Sequence, residues 1–450
     1  MRWRFWIPII IILLVSGAAF LYFHKTGITA RPNAMVTVPP PSQQKIFLIG
    51  LDGASWNLIN PLLKQGKLPH FQQLIQTGTY ASLKSFVPTK SPILWTSIAT
   101  GKVPKKHGIG NFTAEKDGKV IPVSGTQRIT KAFWNILSEY GITVGVVNWW
   151  VTWPPEKVNG FVVSDRYRES SSQKYKGKMV FTYPEELMQE LPKVQISMEK
   201  YLEDRRQFGL PEKLQPDATS PAIEALSADY KGYWSQDKAV RRSCRILLNK
   251  NVQVFAVVFR LIDVSSHLFW TYLDQNLIDE MRKKSDKNQM TQQDTDRIDN
   301  EFAKIVGPIY VYSDQILEDF LRHADKNTNV IVCSDHGFKF DQGRYGHSDM
   351  EQPPDGVLIM NGPLFKQNHK LENATLLDIT PTLLYALKIP IGRDMDGKVL
   401  FQAFRPEFIR ANPPKVIASQ DKGFRQKGEP VSSDVDQQML EDLRSLGYIQ

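Results

Sequence analysis

An α/β fold built on a largely parallel sheet is the architecture that this sequence predicts. From Lys45 onward, short apolar runs alternate with amphipathic, capped stretches, the pattern of strands joined by helical crossovers. The chain has 450 residues, of which 42% are hydrophobic, enough for a large core in one big domain or two smaller ones. Three of the apolar runs end in an acid: Asp52, Asp263 and Asp335. In an open α/β sheet the carboxyl ends of the strands share an edge where ligands collect.

The N-terminus stands apart from this pattern. After the basic "MRWR" comes "WIPIIIILLVSGAAFLYF", Trp6 to Phe23, uncharged and roughly 27 Å long if helical, close to the hydrocarbon thickness of a bilayer. Residues 1–24 are therefore expected to form a transmembrane anchor. The basic residues in front keep the N-terminus in the cytoplasm and leave the body on the extracytoplasmic side, periplasmic or extracellular. Gly17, Ala18 and Ala19 offer the alternative of signal cleavage and secretion, but the apolar run continues to Phe23. The proline-rich residues 25–44 then read as a semi-rigid linker.

Within the body, residues 45–405, "KIFLIGLDG" is the first strand. Helices are expected near Trp56 to Gln65 and Pro69 to Gln76, and "TKAFWNILSEYG" combines a threonine cap with a terminal glycine before the strand "VGVVNWW". "VFAVVFRLID", "NVIVCSD" and "GVLIMNG" are later strands, and "LLDITPTLLYAL" is a late helix. Residues 298–325 repeat at helical spacing, with Gly307 and Pro308 expected to kink or divide the helix. Two polar, weakly periodic segments, at about 165–233 and 274–297, read as insertions on the core. Residues 406–450 form a polar tail ending in "MLEDLRSLGYIQ", a short docked helix.

The formal charge of +9 is spread over the whole length, with no basic stripe, so no specific nucleic-acid binding is expected. Cys244 and Cys333 sit in apolar patterns and read as buried free thiols.

The acids gain meaning from the histidines near them. His267 follows Asp263 by four residues, His336 adjoins Asp335, and His347 lies in the loop beyond, within "VIVCSDHGFKFDQGRYGHSD". Three carboxylates on one sheet edge repel each other unless a cation lies between them, and the mixed oxygen and nitrogen set suits zinc. Singly, each piece has an ordinary explanation: a strand-end acid forms turns, and an Asp-x-x-x-His pair starts helices. Their coincidence at the same places favours metal binding. His24, His70, His323 and His369 lie elsewhere and read as surface or structural, and His107 in "PKKHGIGNF" resembles a packed turn.

In "VPTKSPILWTSIATG", Ser91 precedes Pro92 and the helix closes at Gly101, so Ser91 is expected as N-cap. A hydroxyl there faces unpaired amides and the positive end of the helix dipole, although most such serines only cap. The segment "NWWVTWPPEKVNGF" offers either core aromatics or an apolar wall beside the site, with the core reading favoured. "NFT" and "NAT" match the glycosylation pattern, which has meaning only in a eukaryotic secretory route.

The ordered motifs "LDG", "PTKSP...TGKVPKKHGI", "DVSSH", "SDHG" and "GRYGHSD" followed by "PDGVLIMNGP" resemble the alkaline phosphatase superfamily, specifically its type I phosphodiesterase and nucleotide pyrophosphatase branch. The likeness runs from Lys45 to about Leu400. It implies a mixed, mainly parallel sheet flanked by helices on both faces, and a hydrolase with two divalent metal ions, zinc by preference. It also implies that Asp52, Asp335, His336 and the nucleophile Ser91 hold one metal and that Asp263, His267 and His347 hold the other. Asn111 lies near a family position that touches phosphate, with the spacing off by about one residue, and Lys90 could add a cationic contact. The "IDVSSH" motif lacks the proline and glycine of the family's Pro-Asp-x-x-Gly-His, and the sulfatase cysteine motif is absent.

The implied partner is a phosphate-ester substrate, whether a small molecule, a nucleotide or a lipid headgroup, with the membrane reached through the N-terminal helix. The alternatives are a phosphomonoesterase, a phosphonate hydrolase, a phospho-headgroup transferase and a non-catalytic, metal-stabilised envelope binding protein.

Overall fold

The computed structural model describes residues 44–450 apart from 168–179, 193–195, 209–220, 342, 348–349, 351, 425–426, 434 and 450. The expected anchor, and all of the expected linker but its last residue, lie outside the described residues. Among the described residues no helix is long and apolar enough to cross a membrane.

Ten described strands form the central sheet: β1 (Lys45–Leu51), β2 (Thr79–Lys84), β3 (Val144–Val147), β4 (Gly160–Val163), β5 (Thr182–Tyr183), β6 (Val254–Phe259), β7 (Thr328–Cys333), β8 (Gly356–Asn361), β9 (His369–Lys370) and β10 (Ala374–Thr375). Their order is β9-β2-β8-β7-β1-β6-β3-β4-β5, and β10 also pairs with β2. β1 runs parallel to both neighbours, with Ile49 opposite Val257 on β6 and Val332 on β7. β8 is antiparallel to β7 and β2, and β5 is antiparallel to β4, so the sheet is mixed, as the family resemblance implies.

The pleat of β1 divides the core. Phe47, Ile49 and Leu51 enter one apolar layer with Leu58, Leu62, Phe302 and Val306, while Ile46 and Leu48 enter the other with Trp95, Ile98, Phe133 and Leu383. A strand with both faces covered this way is apolar throughout, which explains "KIFLIGL".

Two details differ from the sequence reading, the extent of one helix and the end of one strand. The expected helix over 298–325 starts earlier, at Gln292, and runs undivided for 30 residues to Leu321 with Pro308 inside it. A capping box fixes the start, with Thr291 accepting from the Asp294 amide at 3.2 Å. An interior proline costs about 3 kcal/mol, and the burial of Phe302, Val306, Ile309, Tyr310 and Ile316 on the same helix outweighs it. The two polar segments carry regular structure, including the helices Met198–Phe208 and Gln275–Asp286 and the start of Pro221–Leu247. Asp263 does not end a strand. β6 stops at Phe259, and Asp263 is the third residue of the helix Leu261–Phe269.

The tail helix is present as Asp436–Ser445. Both cysteines are buried free thiols.

Candidate active site

Asp52 and Asp335 emerge where β1 and its parallel neighbour β7 end, which brings both to the same sheet edge. Gly53 follows at φ +75°, where a Cβ would stand 2.9 Å from the Asp263 backbone, so this close crossing requires glycine. The Gly53 amide lies 3.4 Å from Asp335 Oδ1. Helical spacing puts Asp263 and His267 on one face, with His267 Nε2 3.5 Å from Asp263 Oδ1. His347 follows the hairpin Lys339–Asp341 and Arg344–Gly346, and Thr89 Oγ1 donates to its carbonyl at 3.0 Å, tying this loop to the segment before Ser91.

All seven expected ligand side chains meet. His336 Nε2 lies 3.5 Å from Asp52, 3.7 Å from Asp263 and 3.6 Å from Asp335. His347 Nε2 is 3.5 Å from Asp263 Oδ1 and 2.8 Å from His267 Nε2, and the rings of His336 and His347 stack at 3.7 Å. Ser91 Oγ reaches Asp52 Oδ1 at 3.4 Å. Apart from His267, whose side chain is 16% exposed, these side chains are buried.

Ser91 is not the N-cap. Lys90 takes that position with extended backbone, and Ser91 is the first helical residue, followed by Pro92. The proline, which suits either of the first two positions, shifts the boundary by one residue, and the hydroxyl turns toward Asp52 instead of capping.

The electrostatics are unbalanced for these side chains alone. Burial and the neighbouring Asp52 charge push the Asp335 carboxyl well above its ordinary range. Burial acts against charge on His336, but Asp335, Asp52 and Asp263 outweigh it and raise the imidazole to about 10. Burial also opposes the Asp52 charge, yet the His336 contact, Trp150 and Arg260 hold its carboxyl below the usual value. His347 is driven well below the ordinary range by burial and then by His336 and His267.

Asp263 Oδ1, Asp335 Oδ2 and His336 Nε2 are buried without a hydrogen-bond partner, a costly state for polar atoms. His336 Nδ1 contacts the Gly337 carbonyl at 3.1 Å; donation there leaves Nε2 facing the carboxylates, the arrangement of a ligating histidine. Two sets converge closely enough to hold an ion: Asp263, His267 and His347; and Asp52, Asp263 and His336. Asp263 belongs to both, so it stands between the two half-sites. The residues present therefore fit divalent metal ions.

Asn111 and Lys90 lie together at the edge of this cluster, with Lys90 Nζ donating to Asn111 Oδ1 at 2.8 Å. Both line a groove of about 720 Å³ with Thr89, Phe112, Arg444 and Tyr448. The tryptophan-rich segment divides. Trp149 and Trp153 are core residues, whereas Trp150 donates to Asp52 Oδ2 at 3.0 Å, alongside Trp95 at the same distance.

His107 is wholly buried, contacts Ser97 Oγ at 2.9 Å and accepts from the Ile109 amide, which makes it part of a packed turn. His70 and His323 make structural contacts to Asp314 and to the Asp319 carbonyl. Arg444 and Tyr448 escape the sequence reading, and Trp150 follows its less favoured alternative of a wall beside the site. A tail residue carries no local sign of where it docks, and Trp150 differs from its neighbours only in direction.

The model of the type I phosphodiesterase / nucleotide pyrophosphatase family matches residues 46–369. The chain belongs to this family. It is a phosphoester hydrolase by that membership. Solved structures similar to it include human ectonucleotide pyrophosphatase/phosphodiesterase 5, at 12% identity over 82% of this chain and 99% of that one with a TM-score of 0.44. The phosphonate monoester hydrolase of Silicibacter pomeroyi matches at 13% identity over 80% and 76% with a TM-score of 0.43. A mutant of the alkaline phosphatase PafA matches at 12% identity over 83% and 100% with a TM-score of 0.46. No curated protein sequence matches the chain.

Proposed function

We propose that this member of the family is a phosphodiesterase or nucleotide pyrophosphatase that works through a phosphoserine at Ser91 beside a two-metal site. The observation that carries this reading is the convergence of three acids, three histidines and one serine hydroxyl in one buried cluster, in which Asp263 Oδ1, Asp335 Oδ2 and His336 Nε2 lack hydrogen-bond partners. Asp52, Asp335 and His336 with Ser91 would hold one ion, and Asp263, His267 and His347 the other. When bound, two divalent ions, zinc by donor set, would neutralise the carboxylates and polarise the phosphoryl oxygens.

The remaining chemistry belongs to the chain. Ser91 Oγ attacks phosphorus in line, forming the Oγ–P bond as the bond to the leaving oxygen breaks, and water later opens the phosphoserine. Trp95 and Trp150 fix Asp52 by donating to one of its oxygens, leaving Oδ1 facing Ser91. Lys90, Asn111 and Arg444 line the groove through which substrate approaches.

Charge supports a diester. Two divalent ions against three carboxylates and an ionised serine leave the centre near neutral, which suits a monoanionic diester better than a dianionic monoester. Metal analysis with paired turnover of a chromogenic diester and monoester tests the reading. Two zinc ions per chain with diester cleavage, abolished in Ser91→Ala at unchanged metal content, is the expected result. Full turnover in that variant would remove the covalent step, and metal without turnover would favour the binding-protein alternative.

A further inference from the structure

We infer that Tyr448, near the end of the C-terminal segment, is a positioning residue for the shared ligand Asp263, and that the His267/His347 half-site depends on this distant arm. The inference rests on the two-metal reading above.

The geometry begins in local sequence. The helix Asp436–Ser445 closes with the Gly447 amide bonded to the Arg444 carbonyl at 2.9 Å and the Tyr448 amide bonded to the Leu443 carbonyl at 2.9 Å. This is a Schellman closure, with Gly447 at φ +77°, and it reverses the chain so that Tyr448 turns back toward the site. The helix itself is firmly seated. Arg166, fully buried, donates to Asp436 Oδ1 and Ser433 Oγ at 2.7 Å each, and Val435, Met439, Leu440 and Leu443 are buried.

At the tip, the Tyr448 hydroxyl donates to Asp263 Oδ2. Its ring stacks on Phe112 at 4.7 Å and meets His267 edge-on at 5.0 Å. The two oxygens of Asp263 are thereby given different work. Oδ2 is held by the phenol, and Oδ1 faces His267, His347 and His336 without a hydrogen-bond partner. A carboxylate free to turn could present either oxygen; one fixed by an outer donor presents the same one every time. Partners of this kind typically change metal affinity by roughly 10–100-fold when removed.

The test is zinc competition against a chromophoric chelator, with the full chain and two variants. Tyr448→Phe keeps the ring stack and removes the donor; Gly447→Val leaves the phenol intact but opposes the φ on which its direction depends. Both are expected to bind at least one of the two zinc ions roughly tenfold or more less tightly than the unaltered chain does. Diesterase activity in Tyr448→Phe should recover on raising free zinc. Unchanged affinities in both variants would overturn the role of Tyr448 while leaving the two-metal reading intact. A wild-type chain that binds no zinc would remove the two-metal reading and this inference with it.

Discussion

The two halves of the candidate centre are built differently. Asp52, Asp335 and His336 sit directly beyond the adjacent parallel strands β1 and β7, in the buried centre of the sheet. Asp263, His267 and His347 come from a helix and a loop, and their positions depend on contacts from distant segments: Thr89, the hairpin before His347 and Tyr448. The sheet edge supplies a rigid half-site at no further structural cost. The helix and loop half leans on those contacts, so single changes in distant segments are expected to loosen it.

The largest effects should come from the sheet-borne half and from Ser91, the proposed nucleophile beside it. Asp335→Asn is expected to lower diesterase turnover on the order of 10³-fold, with no recovery in excess zinc, because the strand end cannot supply a replacement ligand. Steady-state kinetics over a zinc titration would check this, and zinc rescue would break the distinction. His267→Ala, in the helix and loop half, should cost roughly 10–100-fold at limiting zinc and regain part of it in excess. An irreversible loss equal to that of Asp335→Asn would make the halves equivalent.

A smaller effect sharpens the view of how the helix and loop half is propped. Tyr345, on the hairpin before His347, donates to Asp299 and stacks on Phe302 at 4.2 Å. Burial, only partly offset by the Tyr345 hydrogen bond, raises the Asp299 carboxyl from 3.8 to about 6. The native state then holds this proton more tightly than the unfolded chain does. The stability it contributes is complete below about pH 4 and is lost as the pH rises to about 6. Asp299→Asn does not titrate, so its stability relative to wild type should rise across that window by on the order of 3 kcal/mol and then level off. Urea unfolding at several pH values measures the gap, and a constant gap would contradict the shift. The smallest effect should be Arg444→Ala, which raises KM by roughly fivefold at unchanged kcat if this groove cation contacts substrate.

How much of this was legible in the sequence follows the same division. β1, β7 and their terminal acids could be read because a strand covered on both faces is apolar throughout and its end is abrupt. Spacing reveals the Asp263 and His267 pair but not the end of the strand before it, since "RLID" continues the apolar run while the backbone has already turned helical. The sequence marks Ser91 at the helix start but leaves the cap one residue uncertain, because Pro92 fits either of the first two helical positions and only the tertiary position of Asp52 decides. The undivided helix through Pro308 reflects burial overriding a local rule. The contacts of Tyr448 and Trp150 with the acids were invisible for a simple reason. Tyr448 is separated from Asp263 by 185 residues and Trp150 from Asp52 by 98, and no periodicity encodes such meetings.

The most direct test of the central claim is anomalous diffraction at the zinc edge from crystals of the zinc-loaded chain. Two peaks are expected, one bounded by Asp52, Asp335, His336 and Ser91 Oγ, the other by Asp263, His267 and His347. A loaded crystal with no peak in this cluster, or with its zinc bound by other residues, would contradict the account.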